Sequence, residues 1–195
     1  DVVLAVGTRL QDFTTGSNSL FAQAQLLSLN VNVFDALKRR GLGLQADATL
    51  GLQGLSRLLG IWNSAGQWLD RAQQEANAWR ATVASITGKR DVAGLPYDGE
   101  VIGAVQRSAP DSTSRDIVVC AAGTLPAELH KLWRTETPGG YHMEYGYSCM
   151  GYEIAGGLGV KMAKPEAEVI VMVGDGSYLM MNSEIATSVM LDKKL

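Results

Sequence analysis

The apolar run Val169-Ile170-Val171-Met172-Val173, followed at once by Gly174-Asp175-Gly176-Ser177, constrains this chain more than any other feature. An unbroken apolar run of this length suits a strand buried on both faces, as in a parallel sheet with helices on either side. Glycines flanking an acid let the backbone turn tightly and approach a ligand closely, and Asp175 offers hard carboxylate oxygen to a magnesium ion. A helix starting after the turn directs its N-terminal amides at an anion. Strand, turn and helix together make a site for a metal-bridged diphosphate. Read alone, Gly-Asp-Gly is equally an ordinary turn sequence. What favours a ligand is its place between a strand and a helix, with a second glycine-rich segment upstream.

That segment runs Gly139-Gly140-Tyr141-His142-Met143-Glu144-Tyr145-Gly146-Tyr147-Ser148-Cys149-Met150-Gly151 and on to Gly156-Gly157. Tyrosines, a histidine and a carboxylate interleaved with glycines supply hydrogen bonds and flat surfaces for a polar organic ligand, although the aromatics of such a loop can also simply pack. Other chemistries fail on spacing. Gly146-Tyr147-Ser148-Cys149-Met150 misses the G-x-S-x-G nucleophile elbow because Gly151 comes one residue late. His130, His142, Cys120 and Cys149 lack zinc-ligand spacing: His130 reads as a loop or surface residue, and both cysteines as free, packed thiols. Gly156-Gly157-Leu158-Gly159 lacks the third glycine of a dinucleotide fingerprint and falls within a helix, where close packing is the reason for it.

The fold class read from the pattern is α/β with parallel sheets. Strands are expected at 2–6, 26–31 and 41–46, and a polar loop at 12–19 should lie at a carboxyl edge, where open α/β sheets keep their ligand sites. Asp47 can cap a helix reaching Leu59, with Leu50, Leu55, Leu58 and Leu59 inward. The three- and four-residue steps of Leu69, Ala72, Ala76, Trp79, Val83 and Ile86 predict an amphipathic helix over 62–86, and Asp98 can cap another through Val105. The polar stretch 110–115 reads as a linker and domain boundary. Beyond it come a strand at 117–120, helices at 126–133 and 151–163, the strand at 169–173 and a helix over about 180–191. The domain reading is therefore 1–60, a helical connection and linker at 61–115, and 116–195.

Composition excludes several partners. With 17 Lys and Arg against 20 Asp and Glu, and a net charge of -3, no basic field attracts nucleic acid. No apolar run reaches the length of a membrane span and no signal peptide is evident, so the cytoplasm is the expected compartment. The abrupt opening at Asp1 and the close at Leu195 lead us to expect a piece of a longer polypeptide.

Gly174-Asp175-Gly176-Ser177 resembles the start of the thiamine diphosphate motif, which opens Gly-Asp-Gly and closes in Asn-Asn roughly two dozen residues later. The closing asparagines, and a second magnesium ligand with them, do not fall within this chain. GTLPAELHKLWR at 123–134, GGYHMEYGYSCMGYEIAGGLGVKMA at 139–163 and GDGSYLMMNSE at 174–184 resemble, more narrowly, the trihydroxycyclohexane-1,2-dione hydrolases of inositol catabolism. VGTRLQDFTTGS at 6–17 resembles the middle domain of that family.

The resemblance implies a three-domain subunit, with residues 1–60 belonging to the middle, Rossmann-like domain and 116–195 to the first half of the diphosphate-binding domain. It implies a homo-oligomer whose cofactor lies between subunits, activated by a glutamate outside this chain. Residue by residue, it implies that Asp175 binds magnesium and that Gly174, Gly176 and Ser177 meet the diphosphate, Ser177 through its hydroxyl. Met150 becomes the apolar wedge that bends the cofactor, and the Ser148 carbonyl accepts from the cofactor's amine. Gly123, Thr124 and Leu125 touch the far side of the diphosphate through their backbone. His142, Glu144 and Tyr145 are the candidates for substrate hydroxyl contacts and proton transfer. The implied reaction is thiamine diphosphate- and magnesium-dependent hydrolysis of a ring C–C bond in a polyhydroxy cyclic dione, giving 5-deoxyglucuronate. An acetolactate synthase-like carboligase or 2-oxo acid decarboxylase, which would share Asp175 and Met150, and a non-catalytic binding piece are the competing readings.

Overall fold

The computed structural model describes residues 1–89, 93–108, 116–135 and 137–195. They form two compact units, Asp1–Trp68 and Leu69–Leu195.

The first unit begins with β1 (Val2–Val6), a single helical turn α1 (Asp12–Thr15), β2 (Gln25–Asn30), α2 (Val33–Leu37), β3 (Leu42–Gln45) and α3 (Ala48–Leu59). All three strands run parallel in the order β1-β2-β3. Helix starts follow side-chain chemistry: Asn32 accepts from the Phe34 and Asp35 amides to open α2, and Asp47 accepts from Leu50 to open α3. Two expectations need correction. The 12–19 loop contains α1, and the leucines of α3 do not form a buried stripe, since no residue of that helix is buried and Leu58 is 89% exposed. The helix approaches the sheet at Gly51 instead, where a Cβ would stand 2.6 Å from Leu29 Cδ2. Val2, Leu4, Leu42 and Leu44 are likewise exposed rather than sandwiched.

The second unit takes in most of α4 (Gly66–Thr87), then α5 (Asp98–Ser108), β4 (Asp116–Cys120), α6 (Thr124–Leu132), β5 (Tyr141–Met143), α7 (Tyr152–Ala163), β6 (Glu168–Val171), α8 (Asp175–Met180) and α9 (Glu184–Met190). Its sheet is parallel in the order β5-β4-β6, so β4 is central. Period-two alternation along β4 assigns its two faces. Val118 joins Val83 of α4, Ile102 of α5, Leu129 and Leu132 of α6 and Met172 in one core. Ile117 and Val119 join Ala167 and Val169 in the other, with Tyr152 and Val160 of α7 packed against them. Helices therefore cover both faces.

This packing moves the boundary expected from sequence. Val83 and Ile102 are core residues of the second sheet, so α4 from Leu69 onward and α5 are not a free connection, and the units divide between Trp68 and Leu69. The polar stretch 110–115 lies outside the described residues. Three further differences concern length. The glycine-rich segment hides the three-residue strand β5, paired to β4 through Val118, Val119 and Cys120. The final helix is two: α8 begins directly at Asp175, Met181 leaves helical geometry at φ -147, and α9 starts after Ser183. Cys120 is buried but Cys149 is exposed, because it lies in the loop beyond β5 rather than in a strand. The expected close packing at Gly157 is present, with a Cβ there meeting Val171 Cγ2 at 2.4 Å. No described helix is long and apolar enough to cross a membrane.

Candidate functional site

Because β4, β5 and β6 are parallel, the segments that follow them all leave the same edge of the sheet. Strand order reverses about β4, and the carboxyl edge at such a reversal is where open α/β sheets bind ligands. Three sequence motifs meet there: Gly123-Thr124-Leu125 after β4, the 144–151 loop after β5, and Gly174-Asp175-Gly176 after β6.

Gly174 is extended at the N-cap of α8, with open space where a Cβ would be. Asp175 is exposed, and its Oδ1 accepts from the Gly176 amide at 2.8 Å. Gly123 holds φ 127, a conformation suited to glycine, and opens α6 without a side-chain cap. Ser177 differs from expectation. It is buried, and its hydroxyl donates to Glu153 at 2.8 and 2.7 Å while accepting from the Gly151 amide at 2.6 Å. The hydroxyl is thus committed inside the protein and does not face the edge.

The loop after β5 is organised by Glu144, whose carboxylate accepts from the Tyr147 amide at 3.0 Å and the Cys149 amide at 2.6 Å. These bonds hold the Glu144 carboxyl below the usual glutamate range. Ser148 sits in the left-handed region at φ 58, and Gly151 at φ 92. Met150, between them, reaches the Gly174-Asp175-Gly176 turn: a Cβ at Gly176 would stand 3.5 Å from Met150 Cε. The structure thus brings Met150 beside Gly176, two motifs that the sequence separates by more than a helix and a strand.

His142, Glu144 and Tyr145, expected to act together, are dispersed. Along β5, His142 turns toward α7, where its Nε2 lies 2.6 Å from the Tyr152 hydroxyl and the two rings stack. Tyr141 turns toward α6, its hydroxyl 2.7 Å from His130 Nδ1 and accepting from the Cys120 thiol at 3.3 Å. Tyr145 meets the edge of the His130 ring, and Glu144 is bound to its own loop. Burial lowers the His130 pKa and raises those of Tyr141 and Cys120.

Sequence reasoning passed over Glu153, which has no exposed surface. The signal was a single carboxylate in the first turn of the otherwise apolar and glycine-rich helix Tyr-Glu-Ile-Ala-Gly-Gly-Leu-Gly. A groove of about 740 Å³ runs along the outer side of β6, lined by Ile154, Val169, Tyr178, Ile185 and Val189, and includes none of the expected site residues.

Residues 121–195 match the family model described as thiamine pyrophosphate enzyme, C-terminal TPP binding domain. Over its whole length the chain is 40% identical to a 3D-(3,5/4)-trihydroxycyclohexane-1,2-dione hydrolase of Geobacillus thermodenitrificans, covering 33% of that protein. Identity is 37% to the protein of the same name from Clostridium perfringens and 35% to that from Bacillus subtilis, each covered to 34%. The chain is thus similar to thiamine pyrophosphate enzymes over residues 121–195 and to the named hydrolases over its whole length. It spans about a third of the length of these curated relatives.

In a thiamine diphosphate enzyme the residues at this edge must accommodate a diphosphate. Gly174 leaves space for one and Asp175 presents an exposed carboxylate, so both fit. No group of three His, Cys, Asp or Glu side chains among the described residues could hold a metal unaided. Asp175 alone fits one coordination position of a metal whose other ligands come from the diphosphate and from residues elsewhere.

Proposed function

We propose that the full-length protein is a thiamine diphosphate- and magnesium-dependent hydrolase that opens the ring of 3D-trihydroxycyclohexane-1,2-dione between its two ketones, yielding 5-deoxyglucuronate in inositol degradation. The observation that supports this best is the meeting of Met150 with Gly176 at the carboxyl edge, where the wedge and the diphosphate turn of such an enzyme would have to coincide. Identity over the full chain to hydrolases of that name supports the substrate class.

Within this reading Asp175 is a magnesium ligand, and the backbone of 174–176 and of 123–125 receives the diphosphate. Ser177 contributes its place in the first turn of α8, its hydroxyl being engaged by Glu153. Met150 is the apolar support under the bent cofactor and the Ser148 carbonyl accepts from its amine. When bound, thiamine diphosphate supplies a nucleophilic carbon and an electron sink for C–C cleavage, while the protein supplies orientation and electrostatics. His142 and Tyr145 offer polar atoms to substrate hydroxyls, and Glu144 shapes the loop between them and Met150. The activating glutamate is contributed by a second subunit of a homo-oligomer, and the second magnesium ligand by the closing asparagines of the motif, outside this chain.

The test is incubation of the full-length protein with the cyclic dione, magnesium and thiamine diphosphate, following the appearance of the open-chain acid. Cofactor-dependent ring opening supports the reading. Inertness toward the dione combined with carboligation or decarboxylation of a 2-oxo acid would replace it with the carboligase or decarboxylase alternative.

A further inference from the structure

Two carboxylates bracket the turn that carries Met150. Ser148 occupies the left-handed region without being glycine, so its backbone is one that its own sequence does not favour and that neighbouring groups must hold, whereas Gly151 takes φ 92 as glycine readily does. On the upstream side both oxygens of Glu144 are engaged, one by the Tyr147 amide and the other by the Cys149 amide, the residues immediately before and after Ser148. On the downstream side Glu153 Oε2 accepts from the Gly151 amide at 3.0 Å, and both Glu153 oxygens accept from the Ser177 hydroxyl, which itself accepts from the same Gly151 amide.

Glu153 is the costlier of the two. It has no exposed surface, and among the described residues no cation pairs with it, so only these hydrogen bonds compensate a carboxylate that an apolar residue could replace more cheaply. Its partners account for its presence. Gly151 is the residue after Met150, and Ser177 the residue after Gly176, so Glu153 ties the end of the wedge loop to the first turn of α8. Met150 then has a held amide one residue before it and another one residue after it, with its Cε beside Gly176.

We propose that Glu144 and Glu153 are positioning residues, a two-sided clamp that presets Met150 against the diphosphate turn before cofactor binds. This rests on the cofactor reading given above. Both carboxylates are engaged by protein donors. They act through Met150, by sparing the cofactor the cost of ordering the loop.

The clamp makes a distinction that general fold stabilisation does not. Loosening it at Glu144 moves the support given by Met150 and leaves the anion contacts at Gly174 and Asp175 in place, whereas Glu153 also holds Ser177 in the first turn of α8. We therefore compare thiamine diphosphate with inorganic pyrophosphate, each with magnesium, by calorimetric titration of the full-length protein as wild type, Glu153→Gln, Glu144→Gln, Met150→Ala and the Glu153→Gln/Met150→Ala double variant. Expected is a loss of about tenfold in thiamine diphosphate affinity for each Gln variant, with pyrophosphate affinity changed by less than about twofold in Glu144→Gln, and a double variant no weaker than Met150→Ala alone, since groups acting through one another are not additive. Equal losses for both ligands in Glu144→Gln, additive losses in the double variant, or unchanged affinity in the Gln variants would each overturn the proposal. If Glu153→Gln fails to fold, Glu144→Gln, whose carboxylate binds only its own exposed loop, decides the matter. Wild-type protein that binds no thiamine diphosphate would instead overturn the underlying cofactor reading, and the clamp with it.

Discussion

Gly157 and Gly159 lie two residues apart on α7, and the same substitution at each should move stability in opposite directions. A Cβ at Gly157 would come 2.4 Å from Val171 Cγ2 and 3.8 Å from Val169 Cγ1, against the strand that leads into the diphosphate turn. Val171 is β-branched and paired to Val119 of β4, so it has few alternative rotamers with which to yield. Overpacking of this kind costs about 1–3 kcal/mol. A Cβ at Gly159 would meet nothing within 4 Å. Replacing glycine by alanine within a helix stabilises by about 1 kcal/mol through backbone entropy, and both positions gain this. The packing cost is therefore isolated by the difference between the variants, about 2 kcal/mol, with Gly159→Ala above wild type and Gly157→Ala below it. For a chain of this size, at about 2–4 °C per kcal/mol, the two melting temperatures should stand about 4–8 °C apart. Scanning calorimetry of wild type and both variants measures this directly. If both variants were stabilised equally, α7 would not pack on β6 through Gly157, and the placement of the wedge loop at its N-terminus would lose its support.

Asp47→Ala removes the side chain that accepts from the Leu50 amide, and should destabilise the first unit by about 1 kcal/mol in urea unfolding. Iodoacetamide should alkylate exposed Cys149 and spare buried Cys120, as peptide mass mapping would report. Desolvation and then the Glu144 charge raise the Cys149 thiol, so Glu144→Gln should speed its alkylation at pH 8. His130 titrates below its ordinary value of 6.5 because burial disfavours its charged form, so the unfolded chain binds the extra proton first. Its contribution to stability is complete above pH 6.5 and is lost as pH falls from there through the folded pKa. Melting temperatures measured from pH 7.5 down to 5 should show this slope flattened in His130→Asn.

Where apolar runs and capping side chains coincide, the fold was legible. The strand at 2–6, the Asp47 cap, the central strand at 117–120 and the glycine contact at Gly157 each follow from a local pattern that tertiary packing reinforces. β5 was not legible, because three residues in a glycine-rich segment carry no period, and only their pairing with β4 makes them a strand. The unit boundary was missed for a related reason: the helical period of 69–86 reveals a buried face but not which sheet buries it. At the candidate site, the turn at Gly174 and Asp175 between a strand and a helix was legible from its motif. The fate of a hydroxyl was not, since Ser177 turns inward only because a buried carboxylate 24 residues earlier awaits it. His142, Glu144 and Tyr145 are adjacent in sequence, yet strand alternation and a tight loop send them to three different partners.

We propose that this chain carries the diphosphate-binding edge of a thiamine diphosphate enzyme, with Asp175 as a metal ligand. Asp175 is exposed and, among the described residues, its side chain bonds only the neighbouring Gly176 amide, so Asp175→Ala should leave the fold intact. Titrating thiamine diphosphate with magnesium into the full-length protein, wild type against Asp175→Ala, tests the claim most directly. The account predicts magnesium-dependent binding by the wild type that is lost in the variant. Binding by Asp175→Ala with wild-type affinity and magnesium dependence would contradict it, leaving Gly174-Asp175-Gly176 a turn and nothing more.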